Sequence, residues 1–187
     1  MTNNSTFQEN RNPLPLARSL VLVGLMGAGK TTIGRRLASE IGVRFVDSDN
    51  EIVEAAACSI PDIFEVYGEA IFRDLEKRVL LRLLGEEPMV IATGGGAFMN
   101  ADIRAGISGK ALSIWLRADI EVLLDRVSRR NNRPLLATGD KRAILERLIQ
   151  ERDPVYALAD MVVDNNLGHH EKVVEHIMEL LRQRQAL

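Results

Sequence analysis

The run Gly24-Leu25-Met26-Gly27-Ala28-Gly29-Lys30-Thr31 decides the fold of this chain. It matches the pattern G-x-x-x-x-G-K-[ST], in which glycines let the backbone curl and aim several N–H groups at phosphate oxygens. The apolar run Ser19–Val23 precedes it and predicts a buried strand. Apolar residues at four-residue spacing follow over 31–41 and predict a helix. A strand, a glycine loop and a helix in this order predict a binding site for the phosphates of a nucleotide.

The residue types of this loop suit phosphate and metal chemistry. Lys30 can reach the outer phosphates, and the hydroxyl of Thr31 can bind Mg²⁺. The N-terminus of the predicted helix adds a partial positive charge at the same place. No third glycine follows Gly29, which disfavours a dinucleotide-binding loop. The predicted nucleotide contacts are Gly27, Ala28, Gly29, Lys30, Thr31 and Thr32.

Short apolar runs alternate with longer amphipathic runs along the rest of the chain. Strands are predicted at 19–23, 44–46, 88–92, 111–116 and 161–163. Helices are predicted at 31–41, 51–57, 60–84, 119–128, 141–152 and 171–184. This alternation predicts an α/β fold with a parallel sheet covered on both faces. We expect one domain over 19–187 after a polar, flexible lead-in over 1–18, which lacks the apolar middle of a secretory signal.

The composition excludes several classes of protein. The chain has 187 residues, 46% of them hydrophobic, which fits one domain with a sizeable core. Its 24 basic and 26 acidic residues give a net charge of −2, which argues against an obligate nucleic-acid binder. No run of about 18 uncharged apolar residues predicts a membrane span. The single Cys58, expected to be buried or half-buried, excludes an internal disulfide and a cysteine metal cluster. We expect a monomeric, cytoplasmic protein.

Two carboxylates, Asp47 and Asp49, follow the predicted strand at 44–46. Ligands of open parallel sheets lie at the carboxyl ends of strands, so both acids should lie near the phosphate loop. One can hold Mg²⁺, and the other can orient or deprotonate a substrate hydroxyl. The alternative is that one or both cap the following helix, a position that favours Asp.

A second glycine turn, Gly94-Gly95-Gly96, follows the predicted strand at 88–92. Glycine is used where a ligand must approach the main chain closely, although a tight turn into the next element would also explain it. Arg73 and Glu76 lie three residues apart on one helix face. By themselves they suggest a solvated ion pair.

Arginine outnumbers lysine by 19 to 5, and arginine presents a planar fork of donors that suits carboxylates and phosphates. The segment 126–133 holds four arginines and no acid. A polar loop of this kind can close over nucleotide phosphates, or it can be a solvated basic loop with affinity for nucleic acid. The three histidines lie near the C-terminus without zinc-site spacing and are interpreted as surface residues: His169, His170 and His176.

Taken together, these segments resemble the shikimate kinase family. The resemblance covers nearly all of 19–187. It rests on GLMGAGKTTIGRRLA at 24–38, FVDSD at 45–49, FRDLE at 72–76, TGGGA at 93–97, RPLL at 133–136 and ERDPVYALAD at 151–160. It implies a P-loop fold like that of nucleoside monophosphate kinases, with a five-stranded parallel sheet, a substrate-binding region near 48–76 and a lid near 129–139.

The resemblance also implies an activity and roles for single residues. ATP would phosphorylate the 3-hydroxyl of shikimate, on the route to the aromatic amino acids. Thr31 and Asp47 match the metal positions, and Asp49 matches the acid that holds the reacting hydroxyls. Residues that match contacts to the substrate carboxylate are Arg73, Gly94, Gly95, Gly96 and Arg152. Lys30 and the lid residue Arg133 match phosphate contacts, and one of Arg126, Arg129 and Arg130 would pack against adenine.

Two other functions compete with this interpretation. The first is another small-molecule kinase of similar fold, such as a gluconate kinase, which would lack the clamp of Arg73, Gly95 and Arg152. The second is a non-catalytic ATP-binding regulator or a nucleic-acid binder that uses the arginines of 126–133.

Overall fold

The computed structural model describes residues 16–129, 140–166 and 169–185. Five parallel strands form one sheet in the order β2-β3-β1-β4-β5. The strands are β1 Ser19–Val23, β2 Phe45–Asp47, β3 Val90–Ala92, β4 Ala111–Arg117 and β5 Met161–Asp164. Each agrees with a predicted strand to within about two residues at either end, so the predicted parallel α/β fold is confirmed.

Seven helices are present among the described residues. They are α1 Lys30–Ile41, α2 Ser48–Ala56, α3 Ile60–Leu83, α4 Ala101–Lys110, α5 Ile120–Ser128, α6 Lys141–Tyr156 and α7 His170–Gln185. Helix α3 is interrupted at Gly68, whose φ of 80° lies in the left-handed region. None of the described helices is long and apolar enough to cross a membrane.

Three helices differ from the sequence prediction. Helix α2 begins at Ser48 rather than at 51, because the Asp47 side chain accepts from the backbone N–H of Asp49 and caps it. Helix α6 runs to Tyr156 rather than to 152 and includes Pro154. A proline removes only its own N–H, and burial of Tyr156 stabilises the last turn. Helix α4 was not predicted.

The core is built around strand β1. Its residues are all buried, in keeping with a continuous apolar run. Strands β3 and β4 flank it, with Leu20 in register with Val90 on one side and with Leu112 on the other. The parallel arrangement brings the carboxyl ends of β1, β2 and β3 to one edge of the sheet, where the phosphate loop, the two aspartates and the glycine turn meet.

Candidate active site

The phosphate loop follows β1 and depends on glycine at two close approaches. Gly24 has a φ of 133°, and a Cβ on it would lie 2.6 Å from the carbonyl oxygen of Leu116. Gly29 caps α1 with a φ of 92°, and a Cβ there would lie 2.7 Å from Nδ2 of Asn165. Both positions exclude larger residues, so the two glycines set the shape of the loop.

Lys30 begins helix α1 and folds back over the loop. Its Nζ donates to the carbonyl oxygens of Gly24 at 2.7 Å and Leu25 at 2.9 Å. The ammonium group therefore lies across the mouth of the phosphate loop rather than in the core. The contact of Lys30 with bound phosphates stays a prediction.

Thr31 and Asp47 are brought together from neighbouring elements. The Thr31 hydroxyl donates to Oδ2 of Asp47 at 2.8 Å, while Oδ1 of Asp47 accepts from the backbone N–H of Asp49 at 3.2 Å. Asp47 is thus a helix cap that also lies beside the phosphate loop. Capping and metal binding, the two alternatives for this residue, therefore do not exclude each other. A hydroxyl and a carboxylate at this distance form an oxygen donor set of the kind that Mg²⁺ prefers.

The glycine turn lies between two carboxylates. A Cβ on Gly94 would lie 2.9 Å from Oδ1 of Asp49 and 2.9 Å from Oε1 of Glu76. A Cβ on Gly96 would lie 2.7 Å from Nη1 of Arg73. The absence of side chains therefore lets two acids and one guanidinium approach the same three residues.

Arg73 and Glu76 are not a solvated pair. Nη1 of Arg73 donates to Oε2 of Glu76 at 2.8 Å, and the Glu76 side chain is only 1% exposed. Burial raises the pKa of the Glu76 carboxyl above its usual value against the opposing charge of Arg73, and the nearby charge of Asp49 raises it further. Oε1 of Glu76 is buried without a hydrogen-bond partner among the described residues. The sequence indicated the pair by its spacing but not its burial.

Arg152 and Tyr156 reach the glycine turn from helix α6. Nη1 of Arg152 donates to the Gly95 carbonyl at 2.9 Å, and the Tyr156 hydroxyl donates to the same oxygen. The structure thus brings together the residues predicted to hold a substrate carboxylate: Arg73, Gly94, Gly95, Gly96 and Arg152. Sequence reasoning did not identify Tyr156, because its contact joins residues 61 positions apart.

Arg126 lies against the phosphate loop. Nη1 donates to the Gly27 carbonyl at 3.3 Å and Nη2 to the Asn165 carbonyl at 2.9 Å, and burial lowers the pKa of its guanidinium. Asn165 was not predicted as a site residue, although its Nδ2 supports the loop by donating to the Ala28 carbonyl at 2.8 Å. Arg129 instead pairs with Asp125 at the surface. Arg130, Arg133 and the rest of the predicted lid lie outside the described residues.

His170 is a correction to the sequence analysis. His169 and His176 are exposed as predicted, whereas His170 lines the phosphate-loop cleft and its Nδ1 is buried without a hydrogen-bond partner among the described residues. Burial and the positive charges of Arg126 and Arg36 lower the pKa of this imidazole. The error arose because helix α7 packs on α1 and brings its first turn to the phosphate loop, a contact that no local pattern shows.

One cleft of about 680 Å³ is lined by residues of this site, among them Lys30, Thr31, Asp47, Asp49, Gly94, Gly95, Arg126 and His170. Its walls come from the phosphate loop, the aspartates after β2, the glycine turn after β3 and helix α5. A phosphate-binding loop and a magnesium-compatible oxygen pair meet in this cleft, and Arg73 and Arg152 contact the glycine turn that forms part of its wall.

The fold and the site define a small-molecule kinase with a P-loop. A model of the shikimate kinase family matches residues 26–182. The chain belongs to the shikimate kinase family.

Named relatives support this assignment. A shikimate kinase of Bradyrhizobium diazoefficiens is 54% identical over 166 residues, which cover 89% of this chain and 80% of that protein. The solved structure of the Acinetobacter baumannii shikimate kinase, in complex with shikimate, is 38% identical with a TM-score of 0.85, covering 89% of this chain and 94% of that one. A gluconokinase of Sinorhizobium meliloti, at 16% identity and a TM-score of 0.59 over 90% of this chain and 93% of that one, shares the fold alone.

Proposed function

We propose that this chain transfers the γ-phosphoryl group of ATP to the 3-hydroxyl of shikimate. The observation that carries the proposal is the convergence of Arg73 and Arg152 on one glycine turn, with Asp49 beside it in the phosphate-loop cleft. Two guanidinium groups suit a carboxylate, and an adjacent acid suits a hydroxyl. A small hydroxylated acid has both groups.

On the nucleotide side, the backbone of 27–32 and the ammonium of Lys30 would hold the phosphates. Thr31 and Asp47 are the residues that would hold Mg²⁺, which when bound neutralises charge on the phosphates. Their 2.8 Å hydrogen bond keeps both oxygens at the loop before any ion binds. Arg126, already held by Gly27 and Asn165, is the described arginine best placed to border the nucleotide.

On the acceptor side, Asp49 would accept the hydrogen bond of the reacting hydroxyl and take its proton as transfer proceeds. Arg73, Arg152 and the turn Gly94-Gly95-Gly96 would fix the substrate carboxylate, so that the hydroxyl faces the phosphate loop. No covalent intermediate is needed, because positioning and charge stabilisation supply most of the acceleration in such transfers.

The wider organisation is part of the same proposal. We place one kinase domain over 19–187 after the lead-in at 1–18, with a substrate-binding region near 48–76 and a lid near 129–139 that brings Arg133 to the phosphates. Except for Arg129, this lid lies outside the described residues. A monomer acting in the cytoplasm, without nucleic-acid or membrane partners, fits the small size and the near balance of charge.

The decisive experiment measures ATP consumption with shikimate, gluconate and nucleoside monophosphates as acceptors. We expect turnover with shikimate only, and identification of the product as shikimate 3-phosphate by phosphorus NMR. Turnover with gluconate and not shikimate would favour the other small-molecule kinase. Absence of turnover with every acceptor, together with salt-sensitive retention of RNA or DNA on filters, would favour the binding protein.

A further inference from the structure

Arg152 and Tyr156 lie one turn apart on the same face of helix α6. Both donate to a single acceptor, the Gly95 carbonyl, in the middle of the glycine turn. One carbonyl oxygen has two lone pairs, so these two donors saturate it. Arg152 and Tyr156 are therefore joined through the turn as well as through the helix.

The ring of Tyr156 is held on two sides. It stacks on Phe98, whose 3₁₀ turn follows the glycine turn directly, at a centroid distance of 6.4 Å. Trp115 of β4 packs on it at 5.8 Å, and the residue is fully buried. The hydroxyl is the one polar group of this side chain, and the packing of the ring fixes the position of the hydroxyl oxygen. Burial raises the pKa of Tyr156 to about 12, so the phenol remains a donor at any working pH.

We propose that Tyr156 is a positioning residue for the acceptor: its hydroxyl fixes the Gly95 peptide and thereby the Arg152 guanidinium that receives the substrate carboxylate. Tyr156 is fully buried and does not line the cleft. Without the hydroxyl, the turn would be held at this oxygen by Arg152 alone, and Arg152 would be divided between Gly95 and the substrate. This inference rests on the proposed function and adds to it a residue that does not contact the substrate.

The test is Tyr156→Phe, which keeps the ring and removes only the donor. We expect the KM for shikimate to rise about five- to tenfold, as for loss of one neutral hydrogen bond. The KM for ATP and kcat should each stay within about twofold of wild type. A general structural role would instead lower activity and affinity for both substrates together.

Ser113→Ala is a matched control. Ser113 is also buried, and its hydroxyl donates to Oδ2 of Asp160 at 2.7 Å, away from the cleft. Removal of this hydroxyl should lower the Tm with no change in either KM. If Ser113→Ala raised the KM for shikimate as much as Tyr156→Phe, the positioning role would be wrong.

The coupling between the two donors can be measured directly. Tyr156→Phe should raise the KM for shikimate less in an Arg152→Lys background than in wild type, because both changes act on the same guanidinium. Equal fold-changes in the two backgrounds would overturn the proposal. Wild-type protein that fails to phosphorylate shikimate would overturn the proposed function first, and is a separate result.

Fluorine NMR keeps the Tyr156 hydroxyl in place, so the result does not depend on whether Tyr156→Phe folds. The chain has two tyrosines, so 3-fluorotyrosine gives two fluorine resonances, which Tyr67→Phe assigns. Saturation with shikimate should shift the Tyr156 resonance, and saturation with ATP alone should leave it in place. An unshifted resonance with bound shikimate would contradict the proposal.

Discussion

Arg73 and Glu76 form an ion pair whose acid is almost entirely removed from water: Nη1 lies 2.8 Å from Oε2, and Glu76 is 1% exposed. The second carboxylate oxygen has no hydrogen-bond partner among the described residues and lies close to Gly94, as does Oδ1 of Asp49. A buried charge with one unsatisfied oxygen destabilises a fold. Glu76 therefore holds Arg73 against Gly96, and the burial of its charge lowers the free energy of unfolding.

Glu76→Gln should increase the stability of the protein at neutral pH relative to wild type. The folded protein raises the pKa of Glu76, so Glu76 contributes most to the stability of the wild type when it is protonated. This contribution is fully present below the usual pKa of about 4.5 and is lost as pH rises above it. The Tm difference in favour of Glu76→Gln should therefore grow as pH rises above about 4.5, by about 2–4 °C per kcal/mol. Glu69→Gln changes an exposed partner of the same arginine and should melt like wild type throughout.

Arg73→Ala should reduce kcat/KM for shikimate by about 10- to 100-fold, since a charged hydrogen bond contributes roughly 1.5–3 kcal/mol. ATP binding, measured by calorimetry, should be retained because Arg73 contacts the glycine turn and not the phosphate loop. The matched control is Arg78→Ala, which removes an exposed arginine of the same helix. A loss of ATP affinity as large as the loss of turnover would show that Arg73 is misassigned.

Gly96→Ala tests the close approach of Arg73 by sterics alone. The added methyl would lie 2.7 Å from Nη1 and must push the guanidinium aside, which a flexible side chain allows with little loss of Tm. We expect the KM for shikimate to rise at least about tenfold, as for a lost charged hydrogen bond. Gly109→Ala, in α4 with nothing within 4 Å, should stabilise by about 0.5–1 kcal/mol and leave the KM unchanged.

Lys30→Ala should abolish most activity without unfolding the chain. Preorganised charge at a developing transition state contributes about 10²–10³ in kcat, so a loss of at least this size is expected. The Lys30 ammonium donates to two loop carbonyls, so circular dichroism should still show a cooperative thermal transition in its absence. Lys77→Ala, which removes an ion pair with the exposed Asp102, should retain full kcat. Loss of the thermal transition in Lys30→Ala alone would contradict the assignment.

The sequence predicted those elements whose local pattern was strong. The apolar run of β1 and the four-residue spacing of α1 gave correct elements because burial alone determines them. Helix α4 escaped prediction because it is short and contains Gly106 and Gly109, which lower helix propensity. Gly106 also lies close to α3, since a Cβ there would lie 2.5 Å from Cδ2 of Leu81 and would displace that side chain.

The same distinction holds within the candidate site. Residues that carry a local motif, such as Lys30 and Asp47, were predicted with their neighbours. Tyr156, Asn165 and His170 were not, because each acts through contacts between segments far apart in the sequence. Burial of Glu76 was likewise hidden, since a three-residue spacing on a helix has the same appearance whether solvent or protein faces it.

The strand order has an evolutionary consequence. With β1 at the centre, Asp49, Arg73 and the glycine turn come from the side of β2 and β3, while Arg152 comes from α6, between β4 and β5, on the other side. A change of acceptor therefore requires substitutions on both sides of the sheet, whereas the phosphate loop after β1 can stay as it is.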